Sequence, residues 1–213
     1  MPRDSFAIPQ ETARRLSLYL RSLKRLEQQQ GVASSREITR FLNISSEQFR
    51  KDLSYFGEFG RRGIGYDIEI LKKEIGKILG TNVVWRIVLV GVGKLGFALL
   101  GYPGFLEFNL QIIAAFDNDK NKIGQVLSGV KILNTLRMRE VIKKEAIKIA
   151  MLCVPVDAAQ DMAGDLARCG IKAILNFAPV NLVLPKNVCV SNVDMASELE
   201  GLVFQLKRGF FNH

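Results

Sequence analysis

The sequence predicts an α/β chain in three parts: a helical N-terminal unit with a small β-wing, a doubly wound parallel sheet, and a closing C-terminal helix. Three observations carry this. Two capped helical stretches meet at a short turn within the first 60 residues; the apolar run Ile87-Val88-Leu89-Val90 leads straight into Gly91-Val92-Gly93-Lys94-Leu95-Gly96; and beyond that point strand-like runs alternate with helical ones. Such alternation is the pattern of a parallel sheet covered on both faces. The expected boundaries are 1–80, 81–193 and 194–213.

A chain of 213 residues that is 48% hydrophobic can bury two modest cores. Lysine and arginine number 30 against 21 acidic residues, a net charge of +9, which favours polyanionic partners. The front is the more densely basic part, with 15 basic against 10 acidic side chains in the first 80 residues and 15 against 11 in the rest. The sequence shows no N-terminal apolar leader and no run of 18 apolar residues, so a cytoplasmic location without a membrane partner is expected. Cys153, Cys169 and Cys189 are widely spaced and read as buried reduced thiols. With His213 the sole histidine, no metal site is expected.

Pro9 suits a first helical turn, and Leu16, Tyr19, Leu20, Leu23 and Leu26 recur at helical spacing in a helix closed by Gly31. Ser34-Ser35-Arg36-Glu37 spells a capping box. It opens a short helix whose buried side is Ile38, Phe41 and Leu42. Asn43 tolerates the left-handed backbone that a sharp corner needs. A second capping box, Ser45-Ser46-Glu47-Gln48, then starts a helix that turns Phe49, Leu53 and Phe56 inward.

The opposite face carries Gln48, Arg50, Lys51, Ser54 and Tyr55, with Ser45 and Ser46 at its start. These groups donate to phosphates or read base edges, so the pair reads as a helix-turn-helix. Residues 57–66 place Arg61 and Arg62 among glycines and aromatics, a β-hairpin wing with a cationic tip. A further amphipathic helix, with Ile68, Leu71, Ile75, Ile78 and Leu79 on one face, leads to a joint at Gly80-Thr81-Asn82.

The glycine turn matches G-x-G-x-x-G. Gly91 permits the tight turn, Gly93 lets backbone N–H groups approach a pyrophosphate, and Gly96 lets the new helix pack on the strand. Val92, Lys94 and Leu95 complete a phosphate cradle at a helix start. A second strand, residues 110–116, ends at Asp117, 26 residues after Gly91. There a carboxylate accepts from the adenosine ribose hydroxyls and repels a 2′-phosphate, which favours NAD(H) over NADP(H). The fold is therefore Rossmann-like.

A third strand ends at Val154 and is broken by Pro155, on the cofactor-binding side; a helix from Asp157 to Cys169 and strands near Lys172–Leu175 and Val188–Val190 follow. Met195, Leu199, Leu202, Val203 and Leu206 share one face of a C-terminal helix. Burying five such side chains contributes on the order of 7–15 kcal/mol before entropy costs. Either the helix's own sheet or a partner subunit is open as its dock.

With a winged helix in front and a dinucleotide fold behind, the chain resembles, over nearly its full length, the redox-sensing transcriptional repressors of the bacterial Rex family. The residues that carry the resemblance are Arg50-Lys51-Asp52-Leu53-Ser54-Tyr55-Phe56-Gly57, the wing from Phe59 to Tyr66, the GVGKLG turn, Lys172-Ala173-Ile174-Leu175-Asn176-Phe177-Ala178-Pro179, and Val193-Asp194. Family members commonly carry an acidic turn with Pro after the second strand, where this chain has Asp117-Asn118-Asp119-Lys120, and commonly Gly where Asn43 stands.

The resemblance implies a homodimer on double-stranded operator DNA whose C-terminal helix crosses to the partner subunit. It further implies that NADH and NAD⁺ compete for one site, and that NADH closes the dimer and moves it off DNA. Tyr102 is then near the nicotinamide, and Arg15, Tyr102 and Asp194 are the polar switch residues.

The leading function is a repressor that senses the NADH/NAD⁺ ratio. Reduction removes the ring's positive charge, so an apolar pocket at Tyr102 and Phe105 costs NADH less to enter than NAD⁺. The alternatives are an NAD-dependent dehydrogenase with a basic N-terminal domain, which lacks an obvious acid or base, and a constitutive architectural DNA-binding protein.

Overall fold

The computed structural model describes residues 10–210, and Pro9 and His213 lie outside them. The chain divides between Val83 and Val84 into two compact units.

The first unit opens with α1 (Gln10–Leu26), which buries Leu16, Tyr19, Leu20 and Leu23 as their spacing requires. The helix stops at Leu26, short of Gly31. After β1 (Val32–Ala33), Ser34 caps α2 (Ser35–Thr39) in a full capping box: Ser34 Oγ accepts from Glu37 N at 3.2 Å, and Glu37 Oε2 accepts from Ser34 N at 2.7 Å.

Helix α3 (Ser46–Ser54) is capped by Ser45, whose Oγ accepts from Gln48 N at 3.1 Å. The reciprocal half of that box is replaced, because Gln48 Nε2 donates to Asp52 Oδ1 at 2.8 Å instead. Asn43 is not left-handed. The corner is made of right-handed turns in which Arg40 N and Leu42 N donate to Glu37 O and Thr39 O. That early end to α2 throws Phe41 outward, 74% exposed, so it is not a core residue.

Strand β2 (Tyr66–Asp67) pairs antiparallel with β1, Ala33 opposite Tyr66, and Asp67 caps α4 (Ile68–Leu79) through Ile70 N. The expected hairpin over 57–66 is smaller than the sequence suggests. A single bridge between Arg61 and Gly65 closes a tight turn, since glycines at 57, 60, 63 and 65 offer no cross-strand side-chain pairs.

In the second unit, β3 (Trp85–Val90) leads into α5 (Lys94–Leu100). A 3₁₀ segment precedes β4 (Leu110–Asp117), and the hairpin β5 (Val126–Leu127) and β6 (Val130–Asn134) follows. Then come α6 (Met138–Lys144), β7 (Ile149–Leu152), α7 (Val156–Cys169), β8 (Ala173–Asn176), β9 (Cys189–Asn192) and α8 (Met195–Phe210). The sheet runs β5-β6-β4-β3-β7-β8-β9, parallel except for β5.

In chain order its parallel strands follow the doubly wound sequence 3-2-1-4-5-6. Side chains alternate along β3: Val88 and Val90 join the core under α6 and α7, while Ile87 and Leu89 join the one under α5. Cys153 and Cys169 are half-buried and Cys189, on edge strand β9, is exposed, so Cys189 is not the buried thiol expected of it. The apolar residues of α8 remain exposed, Met195, Leu199, Leu202, Val203 and Leu206 among them. No helix among the described residues is long and apolar enough to cross a membrane.

Candidate functional site

The doubly wound order reverses between β3 and β7, and the connections that leave their C-terminal ends run to opposite faces of the sheet, opening a crevice. A cleft of about 600 Å³ occupies it. It is lined by Gly91, Gly93, Lys94, Leu95, Asp117 and Pro155, six of the residues expected from sequence.

The three motif glycines differ in what requires them. Gly91 has φ +92, and an added Cβ would overlap Cys153 O. At Gly96 it would overlap Gly91 O. Both are demanded by the packing of the protein itself. Gly93 has an extended backbone open to any residue, and its added Cβ meets nothing within 4 Å. Val92 and Gly96 are buried beneath the turn rather than facing the cleft.

Asp117 is buried at the cleft floor. Its Oδ2 accepts from Val92 N at 2.8 Å and Oδ1 from Asp119 N at 2.9 Å, while Lys122 Nζ lies 3.3 Å from Oδ2. Burial alone would raise this carboxyl, but the N–H groups of Asp119 and Val92 with the Lys122 ammonium hold it below the ordinary aspartate range. Asp117 thus ties the glycine turn to β4, and of its roughly four acceptor sites one, on Oδ1, remains for a hydroxyl.

Sequence reasoning missed Asn118, Asp119, Thr135, Cys153, Val154, Met162 and Phe177, which also line the cleft. Most stand just after strand ends, where a parallel sheet gathers its ligands, and only the strand order identifies those positions. Burial pushes the Cys153 thiol up to about 12, so it stays protonated and unreactive at neutral pH.

Tyr102 and Phe105 do not line this cleft. They form an edge-to-face pair, centroids 4.9 Å apart, in a separate hollow of about 430 Å³. The seven residues of α5 carry the chain about 10 Å from the glycine turn before Tyr102 is reached.

In the first unit, a groove of about 620 Å³ brings Arg50 and Ser54 of α3 together with Arg61 and Arg62. Ser35, not foreseen, lines it too, and its Oγ accepts from Arg50 Nη1 at 2.9 Å. Lys51 on α3 and Ser45 and Tyr55 at its two ends are exposed outside the groove. Ser46 is half-buried at the helix start, and the half-buried Gln48 is held by Asp52.

The missed residue is Asp52, a fully buried carboxylate on the inner side of α3. It accepts from Arg15 Nε at 2.6 Å, Arg15 Nη2 at 2.8 Å, Tyr19 OH at 2.8 Å and Gln48 Nε2 at 2.8 Å. Burial raises its pKa, and the hydrogen bonds from Arg15, Tyr19 and Gln48 overcome that and leave it lowered. The expected switch residue Arg15 is therefore occupied by α3. Asp194 caps α8, its Oδ1 accepting from Ala196 N at 3.0 Å and Ser197 N at 3.2 Å.

Comparison with known proteins accords with this geometry. The family described as "Putative DNA-binding protein N-terminus" matches residues 7–54, and that described as "CoA binding domain" matches residues 82–180. The "Redox-sensing transcriptional repressor Rex" of Pelotomaculum thermopropionicum is 46% identical over 200 residues, covering 93% of this chain and 94% of the relative. That of Carboxydothermus hydrogenoformans is 43% identical over 205 residues, covering 95% and 98%. Among solved structures, RSP in complex with β-NAD⁺ and operator DNA superposes with a TM-score of 0.89 at 32% identity, covering 96% of this chain and 95% of RSP. RSP in complex with β-NADH gives 0.84 at 30% identity, covering 96% and 97%.

Proposed function

The chain belongs to the Rex family of redox-sensing transcriptional repressors, and on that premise we propose that it holds operator DNA while NADH is scarce and leaves it when NADH occupies the cleft beside Gly93. It is a regulator rather than an enzyme, as its curated relatives are, so the dehydrogenase reading falls away. The constitutive architectural reading falls with it.

The observation that carries the reading is the contrast among the glycines. Gly91 and Gly96 are explained by the fold, whereas the space at Gly93 is filled by nothing in the protein and faces the cleft. A cradle that a Cβ would fill, at a helix start, suits a pyrophosphate. Gly93, Lys94 and Leu95 would hold the phosphates, and Asp117 the adenosine ribose, where its charge disfavours a 2′-phosphate. Lys122 partly offsets that charge.

Bound NADH differs from NAD⁺ by the lost positive charge of its nicotinamide. The apolar wall of the cleft is Val154, Pro155, Met162 and Phe177, and a neutral ring is desolvated there at lower cost than a cation. The same sign holds for the apolar pair Tyr102 and Phe105, which keep their expected place near the nicotinamide as part of this proposal. To shift DNA occupancy, NADH must bind the DNA-free state more tightly than the bound state.

On the DNA side, Arg50, Lys51, Arg61 and Arg62 supply phosphate contacts and Gln48, Ser54 and Tyr55 polar groups near the bases. Ser45 and Ser46 stand at the helix start, where N–H groups favour a phosphate. The exposed apolar face of α8 supports a homodimer built through that helix.

The test is a titration of the operator complex with NADH and NAD⁺ separately. NADH should release DNA at the lower concentration; release by NAD⁺ in preference, at equal occupancy, would overturn the reading.

A further inference from the structure

The Asn176-Phe177-Ala178-Pro179 stretch leaves the end of β8 and carries Phe177 to the wall of the cleft. Asn176 itself is fully buried. Its Oδ1 accepts from Ala178 N at 3.0 Å, and its Nδ2 shares two protons among Ala178 O at 3.0 Å, Val180 O at 2.9 Å and Asn192 Oδ1 at 2.9 Å. The main chain runs in parallel: Phe177 N donates to Leu152 O at 2.9 Å and Val193 N to Asn176 O at 2.8 Å. Asn192 in turn donates to Asn181 Oδ1 at 3.2 Å.

Two things of different kinds are therefore held by one amide. On one side is the turn that sets Phe177 against the nucleotide cleft. On the other is Asn192, two residues before Asp194, which caps and starts α8. With Oδ1 and both Nδ2 protons engaged in the interior, any movement of the Asn176 amide redistributes its protons among Ala178 O, Val180 O and Asn192 Oδ1. Displacement of Phe177 therefore bears on Asn192 through that shared amide.

We propose that Asn176 is a positioning residue which, through Asn192, couples occupancy of the cleft at Phe177 to the root of α8. The inference rests on the NADH-responsive reading above. It adds the path by which the cleft is felt at the helix.

The decisive variant is Asn192→Ala, because Asn192 is exposed and lies outside the cleft, and its removal leaves Asn176 still bonded to Ala178 and Val180. Two quantities are measured on the full chain: NADH affinity by calorimetry, and the NADH concentration that half-releases an operator duplex selected by the chain from random-sequence DNA. Asn192→Ala should keep NADH affinity within about twofold while raising the half-release concentration by about tenfold, a weakening of coupling of ordinary size. Asn192→Ser, which restores an acceptor, should recover part of that shift. Equal shifts in both quantities, or none in either, overturn the proposal. Asn176→Asp, which sets a carboxylate against three acceptors, should give the same split more strongly; should it fail to fold, Asn192→Ala decides alone. A wild-type chain that binds NADH yet keeps its DNA overturns the functional reading itself, an outcome separable from a wild-type that responds and an Asn192→Ala chain that responds identically.

Discussion

Helix α3 and the glycine turn before α5 are both short helical starts, yet they use opposite means. Helix α3 works with side chains: Arg50, Lys51 and Ser54 outward, and a buried ionic cluster around Asp52 inward. The glycine turn works by the absence of side chains, with Gly91 and Gly96 admitting neighbouring carbonyls and Gly93 leaving space for a ligand. One region therefore fails by losing atoms and the other by gaining them.

The largest effect should come from gaining them. Gly96→Val drives its Cβ into Gly91 O, where backbone and not a flexible side chain must yield. A destabilisation of about 3 kcal/mol or more, read by thermal or denaturant unfolding, is expected. Gly93→Val should leave the melting temperature nearly unchanged and weaken NADH by about a hundredfold, near 2.7 kcal/mol. If the two substitutions behave alike, the division among the glycines is wrong.

Removing Asp52 is next. Asp52→Ala leaves Arg15 and Tyr19 without their shared acceptor and should cost about 3 kcal/mol, moderated by the partial exposure of Arg15. The same carboxylate predicts acid sensitivity. Its folded pKa is depressed, so its stabilisation is complete above the unfolded value of about 3.9 and is lost as pH falls through the folded value. Asp52→Asn should flatten that part of a stability-versus-pH curve.

Arg50→Ala or Arg61→Ala should weaken operator binding by about 1–2 kcal/mol and lower the slope of log affinity against log salt by about 1 for each phosphate that is no longer neutralised. NADH affinity should stay unchanged. Ser34→Ala, which removes one side of the capping box of α2, should cost about 1 kcal/mol in unfolding experiments.

Where local chemistry decides, the sequence was sufficient to read. Ser34 with Glu37, the spacing of Leu16, Tyr19 and Leu23, and the strand-glycine-helix run at residues 87–96 each act within a few residues, so their patterns survive without knowledge of the fold. The β5–β6 hairpin escaped notice, although Ser128-Gly129 between Leu127 and Val130 is a turn signal and both residues have positive φ. Asp52 also escaped, since an aspartate inside a run of charged residues reads as solvated until α1 is placed against it.

By itself, then, the sequence determined that a helix-turn-helix precedes a doubly wound dinucleotide fold, because periodicity, capping and glycine turns are local properties. Only the tertiary structure decided which face of each element is used: that Phe177 lines the cleft while Tyr102 pairs with Phe105 in a separate hollow, that Gln48 and Arg15 are tied to Asp52, and that Gly93 alone among the three glycines is free of the protein's own packing. Those outcomes depend on which strand ends and helix faces meet across long stretches of chain, and no spacing along the sequence encodes that meeting.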